Sequence, residues 1–133
     1  MSDENVQIVR RGFEHFEATG ELLMENVSAD FVWDMSKFEG WPEQQTYHGL
    51  KGARAFLREW VSAWDDWQLV VDSYHQVGDK VVTVLRQRGR SKSTGVEVEM
   101  TFGMLWTVRE GKQTYMEMYA DPDEALAAAA SQR

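Results

Sequence analysis

Four segments of the chain show the apolar spacing or the end signals of α-helices. In the first, apolar residues recur three or four positions apart before Gly20 ends the pattern; they are Val6, Val9, Phe13 and Phe16. A short second helix is expected from Glu21 to about Val27. The third carries a broad apolar stripe, made of Leu50, Ala53, Phe56, Leu57, Trp60, Val61 and Trp64. The last begins where Asp121 can cap the helix and Pro122 can take its first position.

Elsewhere the hydrophobic period falls to two, which indicates β-strands. The stretch "DFVWDM" predicts a brief strand, after which the chain is irregular from Ser36 to His48. Two long strands are predicted in "WQLVVDSYHQV" and "KVVTVLRQRGR", and two more form a hairpin that turns at Glu110-Gly111. One face of this hairpin is rich in methionine and aromatic residues: Met100, Phe102, Met104, Trp106, Met116 and Met118.

Helices that are segregated from an antiparallel sheet predict the α+β fold class. The amphipathic helices need an apolar surface to cover, and the methionine-rich face of the hairpin can supply it. We therefore expect a strongly curved antiparallel sheet that wraps around the helices as a cone and encloses a cavity.

Composition narrows the class of protein further. A length of 133 residues predicts a single domain over residues 1–133. No run approaches the ~18 apolar residues of a membrane span, and the N-terminal segment lacks the apolar core of a signal peptide. The absence of cysteine fits a cytoplasmic location, and the net charge of −8 argues against nucleic acid as a partner. The histidines have no metal-ligand spacing, so we predict no metal site. We also predict no cofactor.

At this point the sequence resembles a known family, the SnoaL-like polyketide cyclases of the nuclear transport factor 2-like superfamily. The matching blocks span nearly the whole chain and read "ENVQIVRRGFEHFEATG", "FVWDM", "YHGLKGARAFLREW", "GDKVVTVLRQRGR" and "LWTVREGKQTYMEMYAD". Ketosteroid isomerases and limonene epoxide hydrolase are relatives. The resemblance implies a cone-shaped, cystatin-like α+β barrel with a pocket at its open end, commonly as a homodimer. It leaves function open, because this fold hosts enzymes, ligand binders and interaction proteins.

The family's acid and base positions carry over poorly to this chain. Aligned through its tryptophan, "FVWDM" places Met35 where isomerase-like members hold a carboxylate base. Two further polar positions of the family fall on Met104 and Met118. A slip of one residue would exchange Met35 for Asp34 or Met118 for Glu117, because the two faces of a strand alternate.

Three residues remain candidates for catalysis. Asp34 can act as a general base if its apolar neighbours raise its pKa, or else it faces water or pairs with an arginine. His48, before the third helix, can shuttle a proton or is simply a loop histidine. Arg86 and Arg88 lie on the same face of their strand as the neighbouring valines. They either point into the cavity or are solvated at its rim. In the cavity, Arg86 would stabilise an oxyanion.

The remaining candidates are expected to bind a small hydrophobic molecule or, alternatively, to fill the core. They are Trp33, Met35, Tyr47, Phe56, Trp60, Arg88, Phe102, Met104, Met116 and Met118. One functional hypothesis is binding with cofactor-independent isomerase, cyclase or hydrolase chemistry by proton transfer. The other is a non-catalytic ligand-binding or protein-interaction module. The half-apolar outer face of the hairpin, with Leu105, Tyr115 and Tyr119, predicts a homodimer through the outer face of the sheet.

Overall fold

The structure is a computed structural model that describes residues 4–38 and 46–131. The elements in chain order are α1 (Glu4–Thr19), a 3₁₀ turn (Met24–Asn26), β1 (Val27–Asp34), β2 (Thr46–His48), α2 (Gly49–Ser62), β3 (Trp64–Val77), β4 (Lys80–Ser91), β5 (Glu97–Arg109), β6 (Lys112–Tyr119) and α3 (Pro122–Ser131). The predicted α+β class is confirmed, and the helices lie against a six-stranded sheet in this part of the chain.

Three local predictions were wrong. The expected second helix is only the 3₁₀ turn, whose Asn26 Nδ2 donates to the carbonyl of Ile8 at 3.0 Å and so fastens the segment to α1. The third helix ends at Ser62, because Trp64 already pairs with Ser91 as part of β3. β2 was missed, since three residues are too few for a periodic signal. Part of the predicted irregular segment, residues 39–45, lies outside the described residues.

The sheet is mixed rather than purely antiparallel. Its strand order is β2-β1-β6-β5-β4-β3, and β1 runs parallel to β6 while the other neighbouring pairs are antiparallel. The sequence could not give this orientation, because β1 and β6 are separated by most of the chain. The barrel does not close, since β2 and β3 form the two edges of the described sheet.

β3 bends through two irregularities that help to curve the sheet. Its register with β4 shifts between Asp65 and Gln68 and again between Val71 and Ser73. At the first shift Asp66 has a positive φ of 55°, which lets both aspartates point outward before Trp67 turns in. Such bulges increase local twist, and the bent sheet presents a concave face to α1 and α2.

α3 covers part of the opposite, outer face. Ala125 and Ala129 pack there on Val82, Leu105 and Tyr119 as a small separate core. Gly103 permits this approach, because a Cβ at that position would lie 2.9 Å from the Cβ of Ala125. Leu105 and Tyr119, two residues on which the dimer prediction depended, are thus buried by the chain's own helix. The homodimer itself stays a prediction.

Candidate functional site

An apolar chamber of about 70 Å³ lies between the two helices α1 and α2 and the concave face of the sheet. Its walls include Phe13, Trp33, Phe56, Trp60, Met104 and Trp106. The amphipathic helices α1 and α2 contribute Phe13, Phe56 and Trp60, because their apolar faces pack on the concave face of the sheet. An engineered cavity of about 150 Å³ holds benzene, so a ring of that size requires this chamber to widen. Flexible side chains such as those of Met104 and Met118 suit that adjustment.

Aromatic rings from different elements interlock around the chamber. Trp33 of β1 lies 4.8 Å from Phe56 of α2, measured between ring centroids, and edge-on to Trp106 of β5 at 6.1 Å. Phe13 of α1 meets Trp106 edge-on at 5.8 Å. Edge-to-face and tilted contacts of this kind are favourable beyond the area they bury.

Two buried polar side chains of β4 fix the orientation of three indole rings. Gln87 Oε1 accepts hydrogen bonds from Trp60 Nε1 at 2.7 Å and Trp67 Nε1 at 2.9 Å. Thr83 Oγ1 accepts from Trp106 Nε1 at 3.1 Å. Because both indole donors meet the same oxygen, the Gln87 amide has only one orientation that satisfies them. The sequence did not single out Gln87, because valines occur on both faces of the first half of β4 and leave open which face is the inner one.

A wider mouth of about 680 Å³ adjoins the chamber between the end of α1, α2 and β3. Six of the described apolar side chains line both spaces and form a throat between them: Phe13, Phe16, Leu22, Leu57, Trp67 and Leu69. The described charged residues that line the mouth are Glu17, Glu21, Arg54 and Arg58. Arg54 and Glu21 form a loose, exposed ion pair at 3.9 Å. The arrangement suits a ligand whose apolar part enters the chamber and whose polar part stays in the mouth.

The predicted ligand-binding residues divide into three groups. Six line the chamber, namely Trp33, Phe56, Trp60, Phe102, Met104 and Met118. Met35, Tyr47 and Met116 belong to the same buried core but are not part of the chamber wall. Arg88 is on the outer face, where its Nη2 lies 3.3 Å from Glu97 Oε1.

Of the two alternatives left open for Arg86, the position inside the cavity is wrong. The inner face of β4 carries Val81, Leu85 and Gln87, which puts Arg86 outside. There its guanidinium donates to the Asp72 carboxylate, with Nε 2.8 Å from Oδ2. This bidentate pair raises the pKa of Arg86 and lowers that of Asp72. The valines that share the parity of Arg86 suggested an inner face, but Val82 instead packs under α3.

Asp34 also faces away from the chamber, and Met35 is the buried inner residue of the two. Asp34 is only 4 % exposed. Its Oδ1 accepts from the backbone N–H of Ser36 at 2.8 Å and its Oδ2 from the Tyr115 hydroxyl at 2.6 Å. Burial by itself raises the pKa of Asp34, but these hydrogen bonds and nearby Lys37 outweigh burial and leave the pKa below its ordinary value. A general base needs the opposite shift.

A polar cluster surrounds Asp34 on the outer face. Its neighbour across the β1–β6 pair is Glu117, which is buried and accepts from the Tyr119 hydroxyl at 2.8 Å. Burial, aided by the adjoining carboxylates, raises the pKa of both Tyr115 and Tyr119, so both phenols stay protonated donors. Lys37 approaches Glu117 at 3.9 Å. We interpret the cluster as a structural network that holds β1 against β6.

His48 is exposed at the start of α2, with its Nε2 3.4 Å from Thr46 Oγ1. The structure therefore does not bring the three predicted catalytic residues together at the chamber. In residues 4–38 and 46–131, no set of three histidine, aspartate or glutamate side chains is arranged to hold a metal ion. Within the same residues, no helix has both the length and the apolar character needed to cross a membrane.

A curved mixed sheet around two helices, with a chamber inside, defines the cone-shaped class of nuclear transport factor 2-like folds. A family model described as a SnoaL-like domain matches residues 9–116, so the chain belongs to the SnoaL-like family. A search of curated proteins found no match.

Solved structures of several other proteins have the same fold. A nuclear transport factor 2-like protein from Burkholderia thailandensis is 26% identical, with a TM-score of 0.77 and 100% of both chains covered. TerC, co-crystallised with polyporic acid, is 21% identical with a TM-score of 0.74, covering 97% of this chain and 99% of its own. A hypothetical protein with a ketosteroid isomerase-like fold from Catenulispora acidiphila, in complex with trimethylamine, is 15% identical with a TM-score of 0.62, over 80% of this chain and 78% of its own.

Proposed function

We propose that the protein binds a small, flat, apolar molecule in the chamber and acts as a ligand-binding protein rather than as an acid–base catalyst. The observation that carries the proposal is the composition of the chamber wall. Its described lining contains aromatic, aliphatic and methionine side chains and one glutamine, and no titratable group. Apolar walls with few polar groups are typical of small-molecule sites.

Two further observations support ligand binding. The chamber adjoins a wide mouth through an apolar throat, so a ligand has a route of entry. TerC, a protein of the same fold, was co-crystallised with a small organic molecule, polyporic acid.

The catalytic hypothesis has less support. Proton transfer requires an acid or base within hydrogen-bond reach of the ligand. Asp34 and Arg86 instead belong to networks on the outer face, and His48 is exposed at the start of α2. Isomerase, cyclase or hydrolase chemistry therefore has no acid or base to use in the described lining of the chamber.

Isothermal titration calorimetry with indane and 1-indanone tests the proposal. We expect saturable binding with a negative heat-capacity change, because apolar surface is buried. Leu57→Trp, which narrows the throat, should weaken binding, and the outer-face variant Arg86→Met should bind as the wild type does. If neither compound binds the wild type, the proposal is overturned.

A second measurement separates binding from catalysis. In deuterated buffer, an acid–base catalyst would exchange the protons next to the carbonyl of bound 1-indanone, which NMR detects. We expect exchange no faster than in buffer alone. Faster exchange that Leu57→Trp abolishes would restore the catalytic hypothesis.

A further inference from the structure

Among the residues that the structure describes, one side-chain amide lines the chamber, that of Gln113 at the start of β6. Gln113 is 4 % exposed, and its amide makes no hydrogen bond to any residue in the part of the chain that the structure describes. Since the residue lines the chamber, its free N–H₂ donor and C=O acceptor border the space in which a ligand would lie. Buried amides are rarely left without a partner, because an unmet donor or acceptor costs free energy.

A bulge turns Gln113 inward. Met116 and Met118 face the core, so strict alternation along β6 would point Thr114 inward and Gln113 outward. The register between β5 and β6 shifts, however, with Thr107 opposite Tyr115 and Val108 opposite Gln113. Thr114 is the extra residue of this bulge, and Gln113 joins Val108 on the inner face. Bulges commonly re-aim a side chain next to a functional site.

A glycine of α1 keeps the amide uncovered. Gly12 also lines the chamber, and a Cβ built on it would lie 3.6 Å from Gln113 Oε1. A larger side chain at this helix position would extend over the amide oxygen. A helix interior favours alanine over glycine by roughly 1 kcal/mol. Gly12 therefore makes α1 less stable than alanine would, but it leaves Gln113 accessible.

We propose that Gln113 is the polar anchor of the chamber and that it selects neutral ligands carrying a carbonyl or hydroxyl group on the end that enters first. This inference rests on the proposed ligand-binding function. A carbonyl oxygen accepts from the Gln113 amide nitrogen, and a hydroxyl donates to its oxygen. The aromatic and methionine walls hold the rest of the ring system.

The same geometry excludes an ionised group from the inner end of the ligand. No arginine or lysine is part of the described chamber wall, and a neutral amide cannot compensate a buried carboxylate. Arg54 and Arg58 lie in the mouth, so a ligand that carries an anionic group would keep it there.

The test compares indane with 1-indanone, which differ by one carbonyl group. Calorimetry gives the ratio of their dissociation constants for the wild type, for Gln113→Met and for the control Gln76→Met. Gln76 lies on β3 and belongs to neither the chamber nor the mouth. We expect the relative preference for 1-indanone to fall about tenfold in Gln113→Met. It should be unchanged in Gln76→Met, and indane should bind all three proteins alike.

Each outcome has a distinct meaning. If both compounds bind and Gln113→Met leaves their ratio unchanged, the anchor role is overturned while the proposed function stands. If neither compound binds the wild type, the proposed function fails and the anchor fails with it.

Infrared difference spectra of ¹³C-carbonyl 1-indanone bound to the wild type and to Gln113→Met give a second readout. The variant is needed because Trp33 Nε1, in the same wall, is also a buried donor with no hydrogen-bond partner among the described residues. Hydrogen bonding to Gln113 should shift the carbonyl stretch below its value in hydrocarbon solvent, and an unshifted band would contradict the proposal.

Discussion

Replacing Asp34 with asparagine separates a structural from a catalytic role for this residue. The carboxylate is nearly inaccessible and accepts two short hydrogen bonds, from the Ser36 backbone at 2.8 Å and from the Tyr115 hydroxyl at 2.6 Å. Hydrogen bonds to a charged group contribute about 1.5–3 kcal/mol each, against roughly 0.5–1.5 kcal/mol for neutral ones. The asparagine keeps the shape but loses the charge, and its NH₂ must face one of the two donors.

We expect Asp34→Asn to lower the free energy of unfolding by about 2 kcal/mol. For a chain of 133 residues, this corresponds to a fall in Tm of roughly 4–8 °C. Differential scanning calorimetry at pH 7 measures the change. Indane affinity should be unchanged, because Asp34 lies on the face of the sheet opposite the chamber.

The effect depends on pH in a defined direction. Because the pKa of Asp34 in the folded protein lies below its ordinary value of 3.8, the ionised carboxylate stabilises the fold above that value. The stabilisation is lost as the pH falls from there through the lower pKa of the folded state. The difference in Tm between wild type and Asp34→Asn should therefore have its maximum value at neutral pH and disappear in strong acid.

Asp72→Asn is the matched control for this experiment. Asp72 also accepts hydrogen bonds from a neighbour, Arg86, but the pair is exposed to solvent and contributes less. The reasoning would be refuted if Asp34→Asn had the same Tm as the wild type but no longer bound indane, since that result would place Asp34 in the chamber.

Two further predictions concern the chamber itself. Gln87→Leu removes the acceptor shared by Trp60 and Trp67, so we expect the free energy of unfolding, measured in urea, to fall by about 2–4 kcal/mol. An unchanged urea midpoint would mean that the indoles find other acceptors. Gly12→Ala should raise Tm, because alanine is the better helix former by up to ~1 kcal/mol, and should weaken 1-indanone binding more than indane binding. If the preference for 1-indanone is unchanged, Gly12 does not control access to Gln113.

The sequence predicted the periodic elements of the fold well. The spacing of Val6, Val9 and Phe13 gave α1, and the alternation in the hairpin of β5 and β6 gave its inner residues Met104 and Met118. These patterns are local, because each depends only on the repeat of a helix or strand against one apolar surface. Short elements such as β2 carry too few residues to show a repeat.

The chemistry of the site was harder to predict. Which side chain of β4 faces inward depends on what covers each face, and both faces of its first half are apolar because α3 packs on the outer one. Arg86 therefore seemed to follow an inner row of valines. At β1 the two alternatives, Asp34 and Met35, differ by one residue, and pairing with Tyr115 decides between them.

The sequence by itself determined the α+β class, most of the helices and strands, and an apolar inner face, since these follow from local hydrophobic period. Tertiary structure alone decided the parallel pairing of β1 with β6, the outward direction of Asp34 and Arg86, and the bulge that turns Gln113 into the chamber. The physical reason is that strand register and bulges are fixed by pairing between segments far apart in the chain. A shift of one residue in strand register moves each side chain to the opposite face of the sheet.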